Sequence, residues 1–298
     1  MKDFSYHEPK TIKEAVDLML TYDDTASIIA GGTDLLIEIK QGKKNPDHVI
    51  SLRSIPSLQD IIERKDALHI GAMVTHRMIE KSDLIRKKYT LLVDAVDNLG
   101  SVQVRNVATI GGNLCNGAPS ADTAAPIVAL EAILLVEGPE GEREIAAVDF
   151  FEGPGKTALK NGEILKKIII PKLKESNASC YIKHSRRKAM DLPLLGVAVI
   201  VDLDTKNMVC KAGRIALSLA APTPLRTKVA EAFVSGKPLN REVWQQAGAL
   251  ALSETNPRSS FRATAEYRRR MIQVLIPRAA EKCLERLDDS WRSETNAN

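Results

Sequence analysis

The chain has 298 residues, of which 44% are hydrophobic and 27% charged, so it is long enough to bury a core without disulfides or a structural metal. The net charge of +4 is small and aromatic residues make up only 4%, which argues against a nucleic-acid-binding protein. The four cysteines are far apart and form no Cys-x-x-Cys motif. We therefore expect reduced thiols in a cytoplasmic protein and no metal site in this chain.

Apolar periodicity predicts short strands and helices mixed through the first half of the chain. Thr11 and Glu14 have the spacing of a capping box and predict a helix that ends near residues 22–24. An apolar element of undefined type is predicted at 35–40. The other predicted strands lie at 27–30, 49–52, 67–72, 107–110, 132–136 and 164–170, and the other helices at 75–82, 90–100 and 121–130.

A polar, turn-rich stretch at 172–179 predicts a domain boundary. The predicted elements after it are strands at 180–183, 196–203 and 214–220, followed by helices at 227–235, 241–252 and 264–287. Strands followed by helices indicate an α+β domain. The most apolar run, at 192–201, is too short to span a membrane, and the start of the chain lacks the pattern of a signal peptide.

Two Gly-Gly pairs are predicted to follow apolar strands directly. The first is Gly31-Gly32 and the second is Gly111-Gly112. Glycine allows positive φ angles and a close approach of ligand to backbone, so successive N–H groups can converge on a phosphate. The hydroxyl groups of Thr33, Thr109 and Ser120 are further candidate donors. Asp34 and Asp122 do not favour phosphate, and Asp122 is better suited to accept hydrogen bonds from a ribose or another hydroxyl.

Familiar nucleotide motifs are absent around these glycines. The sequence has no Gly-x-Gly-x-x-Gly motif. Gly112 and Gly117 have P-loop spacing, but Ala118 and Pro119 stand where Lys and Ser or Thr are needed. Tight turns without a ligand are the simpler interpretation of either glycine pair alone; the two pairs together favour a phosphate site.

Several segments, in order along nearly the whole chain, resemble the FAD-binding subunits of molybdenum hydroxylases. This family includes the FAD subunits of carbon monoxide, xanthine and nicotinate dehydrogenases. The segments that carry the resemblance are 4–9, 30–35, 102–106, 109–113, 150–157, 181–191 and 262–268. The resemblance implies an α+β fold: a two-subdomain FAD-binding domain of the PCMH or vanillyl-alcohol-oxidase type over 1–175, and a C-terminal domain with an antiparallel sheet and helices over 176–289. The implied subdomains are 1–55 and 56–175, and a flexible tail is expected at 290–298.

The resemblance also implies which residues meet the cofactor. Residues 28–35 would line one side of the FAD pyrophosphate and residues 109–113 the other, with Asp122 at a polar part of the cofactor. Leu99, Leu165 and Lys183 match family positions near it. Taken alone, the two leucines are more often core residues and Lys183 is typical of an edge strand. The expected FAD-binding residues are Ile28, Ile29, Ala30, Gly31, Gly32, Thr33, Asp34, Leu35, Leu99, Thr109, Ile110, Gly111, Gly112, Asn113, Ser120, Asp122, Leu165 and Lys183.

The function implied by the resemblance is electron transfer within a complex. FAD is expected in this chain, while molybdopterin and [2Fe–2S] clusters are expected only in a large and a small partner subunit, together forming a dimer of heterotrimers. The FAD would take electrons from the [2Fe–2S] subunit and pass them to NAD, a quinone or another acceptor, and no catalytic residue is expected in this chain. The alternatives are a free-standing FAD oxidoreductase of the same fold, a nucleotide-binding scaffold and nucleic-acid binding through residues 258–270.

Overall fold

A computed structural model describes residues 2–204, 207 and 209–295, with side chains as far as residue 287. The chain forms two compact units, each built from three segments. The first unit comprises Met1–Lys81, Gly100–Ala118 and Glu131–Lys172, and the second comprises Ser82–Leu99, Pro119–Leu130 and Leu173–Asn298. Two stretches that we predicted within the first domain therefore cluster with the C-terminal part, and the domain boundaries themselves stay a prediction.

The secondary structure mixes short strands and helices in the first unit with longer ones in the second. The strands are β1 (Ser5–His7), β2 (Ala26–Ile29), β3 (His48–Ser51), β4 (Ile61–Glu63), β5 (Ala67–Gly71), β6 (Ile133–Gly138), β7 (Gly141–Ala146), β8 (Phe151–Gly153), β9 (Lys156–Thr157), β10 (Ile164–Pro171), β11 (Asn177–His184), β12 (Leu195–Asp204), β13 (Val209–Ser218) and β14 (Leu225–Arg226). The helices are α1 (Ile12–Tyr22), α2 (Leu35–Lys40), α3 (His76–Lys81), α4 (Asp83–Lys88), α5 (Thr90–Asp97), α6 (Val102–Val107), α7 (Ile110–Cys115), α8 (Ala124–Ala129), α9 (Lys228–Val234), α10 (Arg241–Ala251) and α11 (Ala265–Thr295).

Two larger sheets organise the first unit. One is a parallel sheet with strand order β1-β3-β2, and the other is an antiparallel sheet with order β4-β5-β10-β6-β7. Helix α1 buries Ile12 and Val16 against Ile50 of β3. The predicted cap is confirmed, because the Thr11 hydroxyl accepts a hydrogen bond from the Glu14 N–H at 3.1 Å. This small core supports β2 and the glycine segment that follows it.

The strand predicted at 107–110 is wrong. Helix α6 ends at Val107 and helix α7 begins at Ile110, with only an isolated bridge between Thr75 and Thr109. The β-branched residues of this stretch favour a strand locally. Two helix caps override that preference: the Ser101 hydroxyl accepts from the N–H of α6 residue 104 at 3.2 Å, and the Thr109 hydroxyl caps α7. The second glycine pair therefore lies in the first turn of a short helix.

The second unit is an antiparallel sheet with helices on both faces, which confirms the predicted α+β class. The strand order is β11-β12-β13-β14. On one face, Val197 and Val199 of β12 join a core with Trp244 of α10 and Ile276 of α11, while α5 packs on β11 and α8 packs on β12 and β13. Because both faces are covered, β12 is buried from residue 195 to 203.

The last helix, α11, is longer than predicted. It continues to Thr295, so the backbone of residues 290–295, predicted to be a flexible tail, is helical. The rest of that predicted tail, residues 296–298, lies outside the described residues. Within the part of the chain that is described, no helix combines the length and the apolar character that crossing a membrane requires.

Removing the cap of α1 tests how much the Thr11 hydroxyl contributes to the stability of the fold. We expect Thr11→Ala to lower the free energy of unfolding by about 1 kcal/mol, because the N–H of Glu14 loses its acceptor. Thr11→Ser keeps the hydroxyl and is expected to stay within about 0.3 kcal/mol of the native chain. Urea unfolding measures both, and equal losses for the two variants would contradict the assigned cap.

Candidate functional site

The two glycine segments meet in the first unit. A β-carbon added at Gly31 would lie 2.2 Å from the carbonyl oxygen of Val107 and 2.8 Å from the Cα of Ala108. A β-carbon added at Gly112 would lie 3.4 Å from the β-carbon of Ala30. Only glycine at position 31 permits this approach. The structure therefore brings the predicted residues 28–35 and 109–113 together.

The first glycine segment offers unused backbone donors. It connects β2 to α2, and Gly32 has a φ of +74°, a conformation that glycine adopts without strain. In the described structure, none of residues 31–34 donates its backbone N–H to another protein group. Most backbone donors in folded proteins have partners. Four consecutive unpaired N–H groups at a glycine turn are typical of a site that binds phosphate or another acceptor.

The second glycine segment uses its donors within the protein. The N–H groups of Ile110 and Gly111 donate to the carbonyl oxygens of residues 74 and 72 at 3.0 and 2.9 Å. Those of Gly112 and Asn113 donate to the hydroxyl and carbonyl oxygens of Thr109, both at 3.0 Å. The N–H groups of the second pair are therefore used within the protein, and the hypothesis that those of the first pair converge on a phosphate stays a prediction. A β-carbon at Gly111 would lie 2.5 Å from the carbonyl oxygen of residue 72, so this glycine allows close packing.

The remaining predicted residue of the first unit is Leu165. It lies near the start of β10, pairs with Val136 and is buried. A register shift separates it from Lys167, and α7, which carries the second glycine pair, packs against the same strand. The structure therefore places Leu165 in the core of the unit that carries both glycine segments.

A buried ion pair forms the polar centre of the second unit. The Lys183 ammonium lies 2.8 Å from the Asp122 carboxylate, and both side chains are only 5% exposed. The ammonium also donates to the carbonyl oxygen of Asn98 at 2.9 Å. Burial raises the pKa of Asp122 from 3.8 to about 6, opposed by the positive charge and hydrogen bond of Lys183. An ammonium has three N–H donors, and these contacts use two of them.

Tyr181 completes this polar centre; the sequence indicates a packing ring that could also lie near the flavin, and Tyr181 is not among the expected FAD-binding residues. Its hydroxyl lies 3.4 Å from the Asp122 carboxylate. Tyr181 and Lys183 are two residues apart on β11 and therefore share one face of the sheet; that spacing is the signal that could have identified the pair. Gly196, opposite Lys183, makes room for the ring, since a β-carbon there would lie 2.5 Å from the Tyr181 hydroxyl.

The last two predicted residues also belong to the second unit. Leu99 is buried just after α5, next to the residue whose carbonyl oxygen accepts from Lys183. Ser120 is half-buried and lies two residues before Asp122. Among the described residues, no cluster of three or more His, Cys, Asp or Glu side chains is arranged to hold a metal ion.

Comparison with known proteins matches both halves of the chain to family models. Residues 2–173 match the FAD binding domain in molybdopterin dehydrogenase, and residues 180–283 match the CO dehydrogenase flavoprotein C-terminal domain. The chain is 34% identical to the xanthine dehydrogenase FAD-binding subunit of Escherichia coli O157:H7 over 287 residues, which cover 95% of this chain and 97% of that protein. It is 32% identical to the nicotinate dehydrogenase FAD-subunit of Eubacterium barkeri over 292 residues, which cover 97% of this chain and 98% of that protein.

A solved structure shares the fold. It is the carbon monoxide dehydrogenase from Hydrogenophaga pseudoflava that lacks the Mo-pyranopterin moiety of the molybdenum cofactor. One of its chains superposes with a TM-score of 0.92 at 33% identity, and the match covers 96% of this chain and 98% of that one.

Adding a methyl group at residue 31 tests the contact between the glycine segments. Gly31→Ala is expected to lower the free energy of unfolding by about 1–3 kcal/mol, because the methyl overlaps the backbone of residues 107 and 108. Gly153→Ala is the matched control, since a β-carbon there would have no other atom within 4 Å. Thermal and urea unfolding measure both variants. Equal stability of the two would rule out the close approach.

The buried carboxyl predicts a pH dependence of stability. The folded state keeps the Asp122 proton up to about pH 6, while an unfolded aspartate releases it near 3.8. The contribution of Asp122 to the free energy of unfolding should therefore fall by up to about 3 kcal/mol as pH rises through that window. Urea unfolding of the native chain and of Asp122→Asn across the window isolates this contribution. Parallel pH profiles for the two proteins would contradict the burial effect.

Proposed function

The chain belongs to the family of FAD-binding subunits of molybdopterin-dependent dehydrogenases, and on that premise we propose that it transfers electrons between partner subunits and an acceptor. It is thus an oxidoreductase subunit of a multi-subunit complex. In the proposed role, the chain receives electrons from a small [2Fe–2S] subunit, after a large molybdopterin subunit has oxidised the organic substrate. The acceptor is NAD, a quinone or another oxidant.

The observation that carries this proposal is the row of unpaired N–H groups at residues 31–34. A pyrophosphate needs donors and a close approach to the backbone, and the first glycine segment supplies both. We propose that residues 28–35 hold the FAD pyrophosphate through these donors. Residues 109–113 and Leu165 would shape the adjacent surface, since the amides of 110–113 are used within the protein. When bound, FAD supplies the redox chemistry that no amino acid side chain provides.

The polar residues of the second unit are also proposed to contact FAD. The Lys183 ammonium is held in place by Asp122 and the Asn98 carbonyl oxygen and keeps one N–H for a ligand acceptor. Its charge would favour electron density on a bound flavin, and the buried Asp122 carboxylate balances that charge. Ser120 and Leu99 complete the proposed set. These roles rest on the resemblance and on the burial of the ion pair.

Flavin content tests the proposed pyrophosphate site. Gly32→Val places a β-branched residue at a φ of +74°, and Gly112→Val places a β-carbon 2.9 Å from the capping hydroxyl of Thr109. We expect each to lower the flavin-to-protein ratio at least about fivefold, because L side chains disfavour these backbone conformations and contacts. The absorption spectrum of the purified protein gives the ratio, and mass analysis of the heat-released compound identifies FAD.

Gly153→Val is the control for these variants, because a β-carbon at residue 153 would have no other atom within 4 Å. It should keep the flavin content of the native chain. Native flavin content in Gly32→Val, with an intact circular dichroism spectrum, would rule out the proposed pyrophosphate site.

The purified flavoprotein also distinguishes an electron-transfer subunit from a free-standing FAD oxidoreductase. The proposal predicts that the isolated flavoprotein does not oxidise organic substrates of the complex, and that adding the partner subunits restores flavin reduction by them. Reduction of the flavin by such a substrate without partners would favour the free-standing enzyme. The dimer of heterotrimers is tested by the mass of the purified complex, and the cytoplasmic location stays a prediction.

A further inference from the structure

Positive charge is concentrated at one end of the sheet in the second unit. Residues 185–194 and 256–270 together contain eight basic residues and two acidic ones, Asp191 and Glu266. The local net charge is therefore +6, compared with +4 for the whole chain, so the rest of the chain is slightly acidic. We refer to residues 185–194 and 256–270 as the basic end.

The two segments of the basic end adjoin each other in the fold. The first connects β11 to β12, and the second leads into α11. The His184 ring, which ends β11, hydrogen-bonds the Tyr267 hydroxyl of α11 at 2.8 Å. The N–H of Asn256 donates to the carbonyl oxygen of Ala220, just beyond β13, at 2.8 Å. Because the ends of β11 and β13 flank the start of β12, the basic residues share one end of the sheet.

Within the described residues, salt bridges balance only a small part of the charge of the basic end. Asp191 lies 4.0 Å from Arg186 and 3.7 Å from Arg187. Across the described residues, the five arginines of the second segment form no salt bridge. Arg268 is buried and bonds only neutral oxygens, those of Leu219 and Ser260. Burial lowers its pKa, and the charges of the neighbouring Arg258 and Arg262 lower it further. An acidic partner would relieve this repulsion.

Exposed apolar side chains lie among these charges. Phe261 is 83% exposed, and the guanidinium of Arg262 lies 4.8 Å from its ring centroid. Met190 and Leu192 of the other segment are 58% and 44% exposed. The loop that carries Phe261 is held by several hydrogen bonds. The Ser260 N–H donates to the Ala263 carbonyl oxygen at 2.9 Å, and the buried Arg268 guanidinium donates to the Ser260 hydroxyl at 3.0 Å.

We propose that the basic end is a docking surface for an acidic, partly apolar face of a partner subunit in the dehydrogenase complex. Aromatic residues and arginine on a preorganised loop are typical of the energetic centre of protein interfaces. Beside the Phe261 ring, the exposed Met190 and Leu192 widen the apolar part of this surface, and a core of aromatic residues, methionine and arginine is typical of protein interfaces, which favours a protein partner. The inference rests on the proposed function, because only a complex supplies such a partner.

The test compares two variants of the basic end with a charge-matched control. Arg258→Glu/Arg262→Glu reverses two charges, and Phe261→Ser removes the exposed ring. Lys65→Glu/Lys211→Glu reverses two exposed charges elsewhere. Each FAD-loaded chain is titrated with the molybdenum and iron–sulfur subunits purified from the native complex. We expect Kd to rise at least about tenfold for the first two variants and to stay within about twofold for the control.

Two further measurements, flavin content and Kd, distinguish a failure of this inference from a failure of the proposed function. Flavin content should be native in all variants, since none lies in the proposed FAD-binding residues, whereas a native chain without flavin would contradict the proposed function alone. Native Kd values for both basic-end variants would overturn the docking surface. It would also be overturned if the native chain binds vesicles with anionic phosphatidylglycerol, or a single-stranded oligonucleotide, more tightly than the partner subunits.

Discussion

Gly31 lies so close to the backbone of Val107 and Ala108 that no side chain fits between them. This contact holds the segment between β2 and α2 against the start of the second glycine segment. Because Gly32 then turns with a positive φ, the N–H groups of residues 31–34 stay outside the hydrogen bonds of the protein. The proposed pyrophosphate site depends on this packing. The second glycine pair supports the site by allowing close contacts, while its own N–H groups are used internally.

The second unit provides a different kind of constraint. Its central strand is covered on both faces, and Tyr181 and Lys183 extend from β11 into a small polar region within this apolar surrounding. A lone ammonium there would be costly to bury, and Asp122 compensates its charge at 2.8 Å. The opposite arrangement exists at the basic end, where Asp191 is the acidic partner of Arg186 and Arg187, while the arginines of residues 256–270 form no salt bridge within the described residues. The charge of Lys183 is neutralised inside the chain, whereas the basic end is open to a neighbouring molecule.

Much of the fold follows from the sequence because hydrophobic periodicity is strong in the longer elements. Helix α1 with its Thr11 cap and the strands of the second unit lie close to their predicted positions. The strand predicted at 107–110 is wrong because two side-chain caps outweighed the β preference of its residues.

The residues of the site were proposed from glycine pairs and from resemblance. Neither signal could show which glycine segment keeps its N–H groups free, because that depends on contacts with residues 72 and 74, distant in sequence. The Asp122–Lys183 pair likewise joins segments that only the fold brings together.

The most direct test of the account is the affinity of flavin-free protein for FAD compared with riboflavin, which has the same ring system without the pyrophosphate and the adenosine, in the native chain and in Gly32→Val. Fluorescence quenching on titration measures both dissociation constants. If residues 31–34 bind the pyrophosphate through their backbone N–H groups, FAD should bind at least about 100-fold more tightly, which corresponds to about 2.8 kcal/mol, and Gly32→Val should remove most of that difference. Equal affinities for FAD and riboflavin would contradict the claim that the glycine segment binds the cofactor.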